Sequence, residues 1–247
     1  MHKRLSLLMA VLMVLALFTV PLDAKYMGEE QLQERTHTEF VAKEYGLGGF
    51  MLPYPTQPIV DKAKKFIDGF NTTKTTRKEQ LDEISKYLIL SGYTYKGSEG
   101  EGREGLYRNY INNNQLNCYG YTLFASKLLL KQNIPHKIIL VKTSKGDTNT
   151  AHTAILVNTG DKWVGYEPTF AMHYNYYRNY GLSKDEAVKE MQEYMVYKDL
   201  KNFCDQMNEE GTMHDIYVSP CLKKDLVGYN FKHYKQEGKL DLNEVLK

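Results

Sequence analysis

Two β-rich segments, 151–158 and 162–167, are separated by Thr159-Gly160-Asp161, and no other feature restricts the folding of this chain so tightly. A short glycine-centred turn between runs of apolar and β-branched residues closes an antiparallel hairpin. Side chains alternate across a strand, so the register decides which of them share a face. Closure with Val157 opposite Lys162 predicts that His152 faces Glu167, with Cβ atoms about 5 Å apart. The same register puts Leu156 opposite Trp163 as an apolar floor. A further β-rich run, 137–143, precedes the hairpin, and Pro168 closes it.

Helical periodicity dominates the chain before these strands. Apolar residues at 59, 63, 66, 67 and 70 have helical spacing. Thr76 and Glu79 form a capping box ahead of Leu81, Ile84 and Leu88, and Gly92 stops that helix. Asn117 is a good N-cap for a third helix, with Tyr121, Phe124, Ala125, Leu128 and Leu129 as its stripe and Asn133 to Pro135 at its end. Cys118 therefore occupies the first turn. After the hairpin, Ser183 and Glu186 mark another helix, with Ala187, Met191, Tyr194 and Met195 on one face. Beyond Gly211 the pattern is a mixture of short strands and loops. Helices and antiparallel strands in this order predict an α+β fold.

A cysteine in the first turn of a helix sits where unpaired backbone N–H groups and the helix dipole favour a thiolate. Taken singly, Cys118 reads as a small buried hydrophobe and Glu167 as a solvated carboxylate. Taken in order, Cys118, His152 and Glu167 supply a nucleophile, a general base and a group that orients the base. Tyr119 beside the cysteine and Trp163 on the hairpin are the expected substrate-binding residues. His136, His173, His214 and His233 fit no such geometry and are read as surface or structural. The trio lacks the short paired spacing of zinc motifs, and no cofactor is implied. Gly97, Gly100, Gly102 and Gly105 form a loop without the Lys-Ser/Thr ending of a phosphate cradle.

Asn117-Cys118-Tyr119-Gly120-Tyr121, an apolar helix and Asn133-Ile134-Pro135 resemble the nucleophile segment of transglutaminase-like proteins. Ala151-His152, Gly160-Asp161-Lys162-Trp163-Val164 and Glu167-Pro168-Thr169 resemble that family's histidine and acid strands. The similarity runs from about residue 77 to 170. It implies a papain-like core, with the nucleophile helix packed on an antiparallel sheet. It also implies acyl transfer through a thioester on a protein or peptide substrate: amide hydrolysis, deamidation or transamidation. The family usually has aspartate where Glu167 stands. Asn112, Gln115 and Asn117 are the side-chain candidates for an oxyanion donor.

Composition narrows the setting. The 32 basic and 30 acidic residues form no block of one sign, which argues against a nucleic-acid partner. Lys3 and Arg4, an apolar run from Leu5 to Val20, Pro21 and Ala24 have the order of a secretory signal peptide, and an uncleaved anchor would share it. The expected mature protein is extracytoplasmic, without stable membrane insertion. Of three cysteines, Cys204 and Cys221 can bridge and leave Cys118 free. The expected organisation is a signal peptide at 1–24, a lead-in at 25–58, a catalytic core at 59–170 and a tyrosine-rich C-terminal extension at 171–247. With 20 tyrosines against one tryptophan, a non-catalytic protein that binds peptide or glycan on the same fold is the alternative reading.

Overall fold

Helix boundaries follow the capping residues. The computed structural model describes residues 57–96, 113–145, 148–197, 199–209, 212–220, 232–236 and 241–246. The signal-peptide segment, nearly all of the lead-in, the 97–105 glycine loop, Asn112 and Cys221 lie outside the described residues. Helix α1 spans Gln57–Gly69 and α2 spans Arg77–Ile89, with Thr76 accepting from the Glu79 N–H as its N-cap. A parallel pair of two-residue strands, β1 (Thr94–Tyr95) and β2 (Gln115–Leu116), then leads into α3, Cys118–Lys131. Every residue of α3 from Tyr119 to Leu129 is buried, which explains its weak amphipathic pattern: it is the central helix rather than a surface one. At its far end the Lys131 ammonium donates to the carbonyls of Ile67, Asp68 and Phe70, neutralising the orphan acceptors at the end of α1.

The strands are β3 (His136–Lys145), β4 (Thr148–Asn158) and β5 (Trp163–Tyr166). A 3-10 segment, Pro168–His173, follows, then α4 (Tyr174–Asn179) and α5 (Lys184–Met195), whose Ser183/Glu186 capping box is fully formed. The chain ends through β6 (Val196–Tyr197), α6 (Leu200–Glu209), β7 (Thr212–Pro220), β8 (Lys232–Gln236) and α7 (Leu242–Val245). The fold is α+β. Its main sheet has six strands in the order β6-β5-β4-β3-β7-β8, and all its pairings are antiparallel. The C-terminal strands are thus part of the same sheet as the hairpin, which their irregular sequence pattern had concealed.

The two-residue period of the strands divides the core. Ile138, Leu140, Ile155, Val157, Val164 and Tyr166 face α2, α3 and α5. Ile139, Val141, Ala154 and Leu156 face the other way, against Phe203, Leu242 and Val245 of α6 and α7. Burying each such side chain is worth about 1.5–3 kcal/mol, so both layers contribute to holding the sheet.

The observed hairpin register differs from the sequence expectation. Asn158 pairs with Trp163 and Ile155 with Tyr166, so the hairpin closes one residue later on each strand. Asn158 is drawn into the ladder by its N–H bond to the Pro135 carbonyl, while its side chain accepts from Gly160 N–H and Arg77. Gly160 supplies the positive φ of 108° that the turn requires. A shift of two keeps every side chain on its expected face. Leu156 now opposes Gly165, not Trp163.

Candidate active site

The site forms where the N-terminus of α3 meets β4 and the end of β5. Asn117 is extended, with φ −91° and ψ −179°, and its side-chain oxygen accepts from the Gly120 N–H at 2.8 Å. That cap fixes where the helix begins and therefore where Cys118 lies. One turn further along, the Thr122 hydroxyl is 3.0 Å from that of Thr153, the neighbour of His152 on β4. This buried bond pins the cysteine helix to the histidine strand. Net, such a bond stabilises by about 1 kcal/mol, but its larger effect is to fix the helix against the strand.

Cys118 is a half-buried free thiol that interacts with the His152 ring. On the other side, His152 Nε2 lies 2.5 Å from Glu167 Oε2. With Nε2 engaged by the carboxylate, Nδ1 is the nitrogen left for the thiol. The imidazole is 21% exposed and the carboxylate 6%. Burial works against a charge on the ring, but the Glu167 carboxylate and its hydrogen bond, together with the Cys118 thiol, outweigh it, so His152 titrates well above the ordinary histidine range.

Glu167 is held on every side. Its Oε1 accepts from the Thr169 N–H at 3.2 Å, its own N–H donates to the Met195 carbonyl at 2.8 Å, and its carbonyl accepts from the Phe170 N–H. Continuing the β4–β5 ladder by one step would place Glu167 opposite Ala154, so His152 is its diagonal neighbour on the strand. Diagonal neighbours are about 7–8 Å apart at Cα, against about 5 Å for directly opposed ones. The extra methylene of glutamate over aspartate spans that gap. The observed register thus supplies a physical reason for glutamate at this position.

Two expected substrate-binding residues are not brought to the site. Tyr119 is 5% exposed and packs in the main core, because its position on α3 points inward. Trp163 sits at the turn end of β5, opposite Asn158, where it packs with the α6 and α7 layer and lies 5.9 Å from the Lys137 ammonium. That is six positions along β4 from His152, or about 20 Å at the rise of a strand. Of the oxyanion candidates, Asn117 spends its side-chain oxygen on the helix cap, and Gln115 is half-exposed just ahead of the thiol. The Thr122–Thr153 bond and the Thr169 N–H were not singled out from sequence. The spacing of Cys118 and Thr122 along one helix face was the available signal.

The remaining histidine and cysteine readings sort simply. His136 is buried, with Nδ1 donating to the Ile134 carbonyl at 2.8 Å and Nε2 accepting from the Ser126 hydroxyl at 2.6 Å, so it is structural. Burial, with Lys127 adding to it, pushes its pKa down to about 4. Cys204 is a free thiol packed into the second cluster, not half of a disulfide, and burial raises its pKa to about 11. Among the described residues no group of histidine, cysteine and carboxylate side chains could hold a metal ion. No described helix is long and apolar enough to cross a membrane.

No family model matches the chain, and no curated protein matches it. A solved structure titled "Crystal structure of a TGase" is similar to it, with 14% identity and a TM-score of 0.35. The match covers 53% of this chain and 37% of that one, so the chain spans little more than a third of the neighbour's length. The chemical reading therefore rests on the geometry of Cys118, His152 and Glu167.

Proposed function

We propose that this chain is a cysteine-nucleophile enzyme that transfers the acyl group of an amide bond in a protein or peptide substrate. The observation that carries the reading is the His152 ring hydrogen-bonded to Glu167 and interacting with the Cys118 thiol. In this mechanism the Cys118 sulfur attacks the amide carbonyl carbon, forming a C–S bond and a tetrahedral oxyanion. The Cys118 backbone N–H, at a helix N-terminus, is the proposed first oxyanion donor, and the Gln115 amide the second. His152 then passes its proton to the departing nitrogen, the C–N bond breaks, and a thioester remains. Water or an amine, deprotonated by His152, attacks that thioester and frees the thiol. Glu167 is a positioning residue: it keeps the ring in the tautomer and orientation that the proton transfers need.

Export rests on the N-terminal segment alone, whose order of basic, apolar and small residues is that of a secreted precursor. Signal-peptide cleavage is proposed close to Lys25, which N-terminal sequencing of secreted protein checks.

Alkylation of Cys118 by iodoacetamide, followed by mass spectrometry across about pH 4 to 9, tests the assignment in wild type and His152→Ala. The expected result is fast labelling near neutral pH and below, lost or displaced to higher pH in the variant. Peptide-library profiling of wild type against Cys118→Ala then reads the reaction. Equal profiles, together with labelling indifferent to His152, would overturn the enzyme and leave the non-catalytic binding protein in its place.

A further inference from the structure

A chain of touching aromatic rings leads away from the candidate site across the surface. It begins at Phe170, whose N–H donates to the Glu167 carbonyl at 3.3 Å. From there the ring centroids step 6.5 Å to Tyr194, 6.2 Å to Tyr177, 5.5 Å to Tyr176 and 4.5 Å to Tyr180. The hydroxyls of Tyr176 and Tyr180, and of Tyr177 and Tyr194, lie close enough to act on one another. Tyr176, Tyr180 and Tyr194 are nevertheless 54%, 69% and 49% exposed, so these rings are ordered against one another while their faces remain open to water. Large exposed apolar groups held in a contiguous row mark an interaction surface.

The charges beside the row select what it takes. Glu190 is half-buried one helical turn before Tyr194 on α5, close enough to Tyr177 to act on its hydroxyl. Glu193 is exposed next to Tyr194, and among the described residues neither carboxylate has a cation paired with it. Of the nearby cations, Arg178 is turned away, its guanidinium donating to the Leu182 carbonyl, and Lys184 and Lys189 are exposed on α5. Glu186 is likewise occupied by the Ser183 cap. Aromatic faces carry negative potential, and an unpaired carboxylate at their edge adds to it, a combination that favours a guanidinium or ammonium group.

We propose that the Phe170–Tyr194–Tyr177–Tyr176–Tyr180 row, with Glu190, is a docking track for a basic peptide segment of the substrate. Arginine or lysine side chains lie over the tyrosine rings and one pairs with Glu190, while the track's inner end, at Phe170 beside Glu167, leads the peptide toward the candidate site. The track assigns a substrate chemistry to the site proposed above and depends on that reading for its purpose, but not for its binding.

The test is binding, measured on the full-length secreted protein carrying Cys118→Ala, so that turnover cannot interfere. The probes are a fluorescein-labelled peptide of alternating arginine and glycine, its aspartate–glycine counterpart, and a labelled β-1,4-linked oligosaccharide. The arginine peptide is expected to bind, more weakly as salt rises, and the other two are not. Glu190→Gln, which keeps the shape of the side chain, is expected to weaken that binding by about 5-fold. Tyr180→Ala, at the most exposed ring, is expected to weaken it without affecting folding. The proposal is overturned if the arginine peptide does not bind, if it binds both variants as tightly as their parent, or if the aspartate peptide or the oligosaccharide binds in its place. If the arginine peptide binds as expected and Cys118 proves inert to alkylation, the track stands and the enzyme reading falls.

Discussion

The Glu167 carboxylate takes two donors and reaches its histidine diagonally, so both its charge and its length matter. Glu167→Gln keeps the length and the Thr169 contact but loses the charge that orients and stabilises an imidazolium. It is expected to lower kcat by about 100-fold or more with little change in KM. Glu167→Asp keeps the charge but withdraws it from the ring, so its kcat is expected to fall at least as far. Steady-state kinetics of the pair on one substrate check this, and near-wild-type activity in the aspartate variant would mean that reach is not what the position requires. Acid–base behaviour gives an independent reading. A free histidine titrates near ~6.5. His152 titrates above that in the folded chain, so its contribution to stability is complete below about pH 6.5 and is lost as pH rises through the folded value. His136 runs the other way: its folded pKa is about 4, so its contribution is present above ~6.5 and lost as pH falls toward 4. Glu167→Gln is therefore expected to flatten the fall of Tm as pH rises above about 6.5. An unaltered alkaline limb in melting curves would show that Glu167 does not sustain the His152 proton.

At the scale of elements, what the sequence made legible had local causes. Asn117, Thr76 and Ser183 cap the helices they were expected to cap, because a capping side chain answers N–H groups only a few residues away. The face assignments of β4 and β5 also hold, since alternation survives a shift of two. The register itself did not emerge, because Asn158 is recruited by Pro135 and Arg77, partners distant in sequence. Tyr119 and Trp163 were misplaced for the same reason: their surroundings are set by α3 packing and by α6, not by their neighbours in the chain. Gly165 illustrates such a tertiary constraint. A Cβ there would lie 2.3 Å from the Phe203 ring. Gly165→Ala is expected to cost about 1–3 kcal/mol in urea unfolding. Phe203→Ala, which removes the two nearest ring atoms, should make the double variant less unstable than the sum of the single ones, and strictly additive effects would mean that the ring is not what the strand makes room for.

The whole sheet depends on strands from the last part of the chain. β3 pairs with β4 on one edge and β7 on the other, from Lys137 opposite Pro220 to Ser144 opposite Thr212. The second hydrophobic layer likewise needs Phe203, Ile216, Leu242 and Val245. A fragment ending at residue 170 is therefore expected to lack cooperative unfolding and to aggregate, although it contains Cys118, His152 and Glu167. A soluble 57–170 fragment with a sharp thermal transition would show that the C-terminal part only decorates an autonomous core. The same pairing has a consequence for the order in which the molecule is made. A ribosome delivers the thiol, the imidazole and the carboxylate well before β7, so for an interval β3 presents an unpaired edge beside a nearly complete hairpin. During synthesis that edge is open to capture by a like strand from another nascent chain, until β7 emerges and closes it.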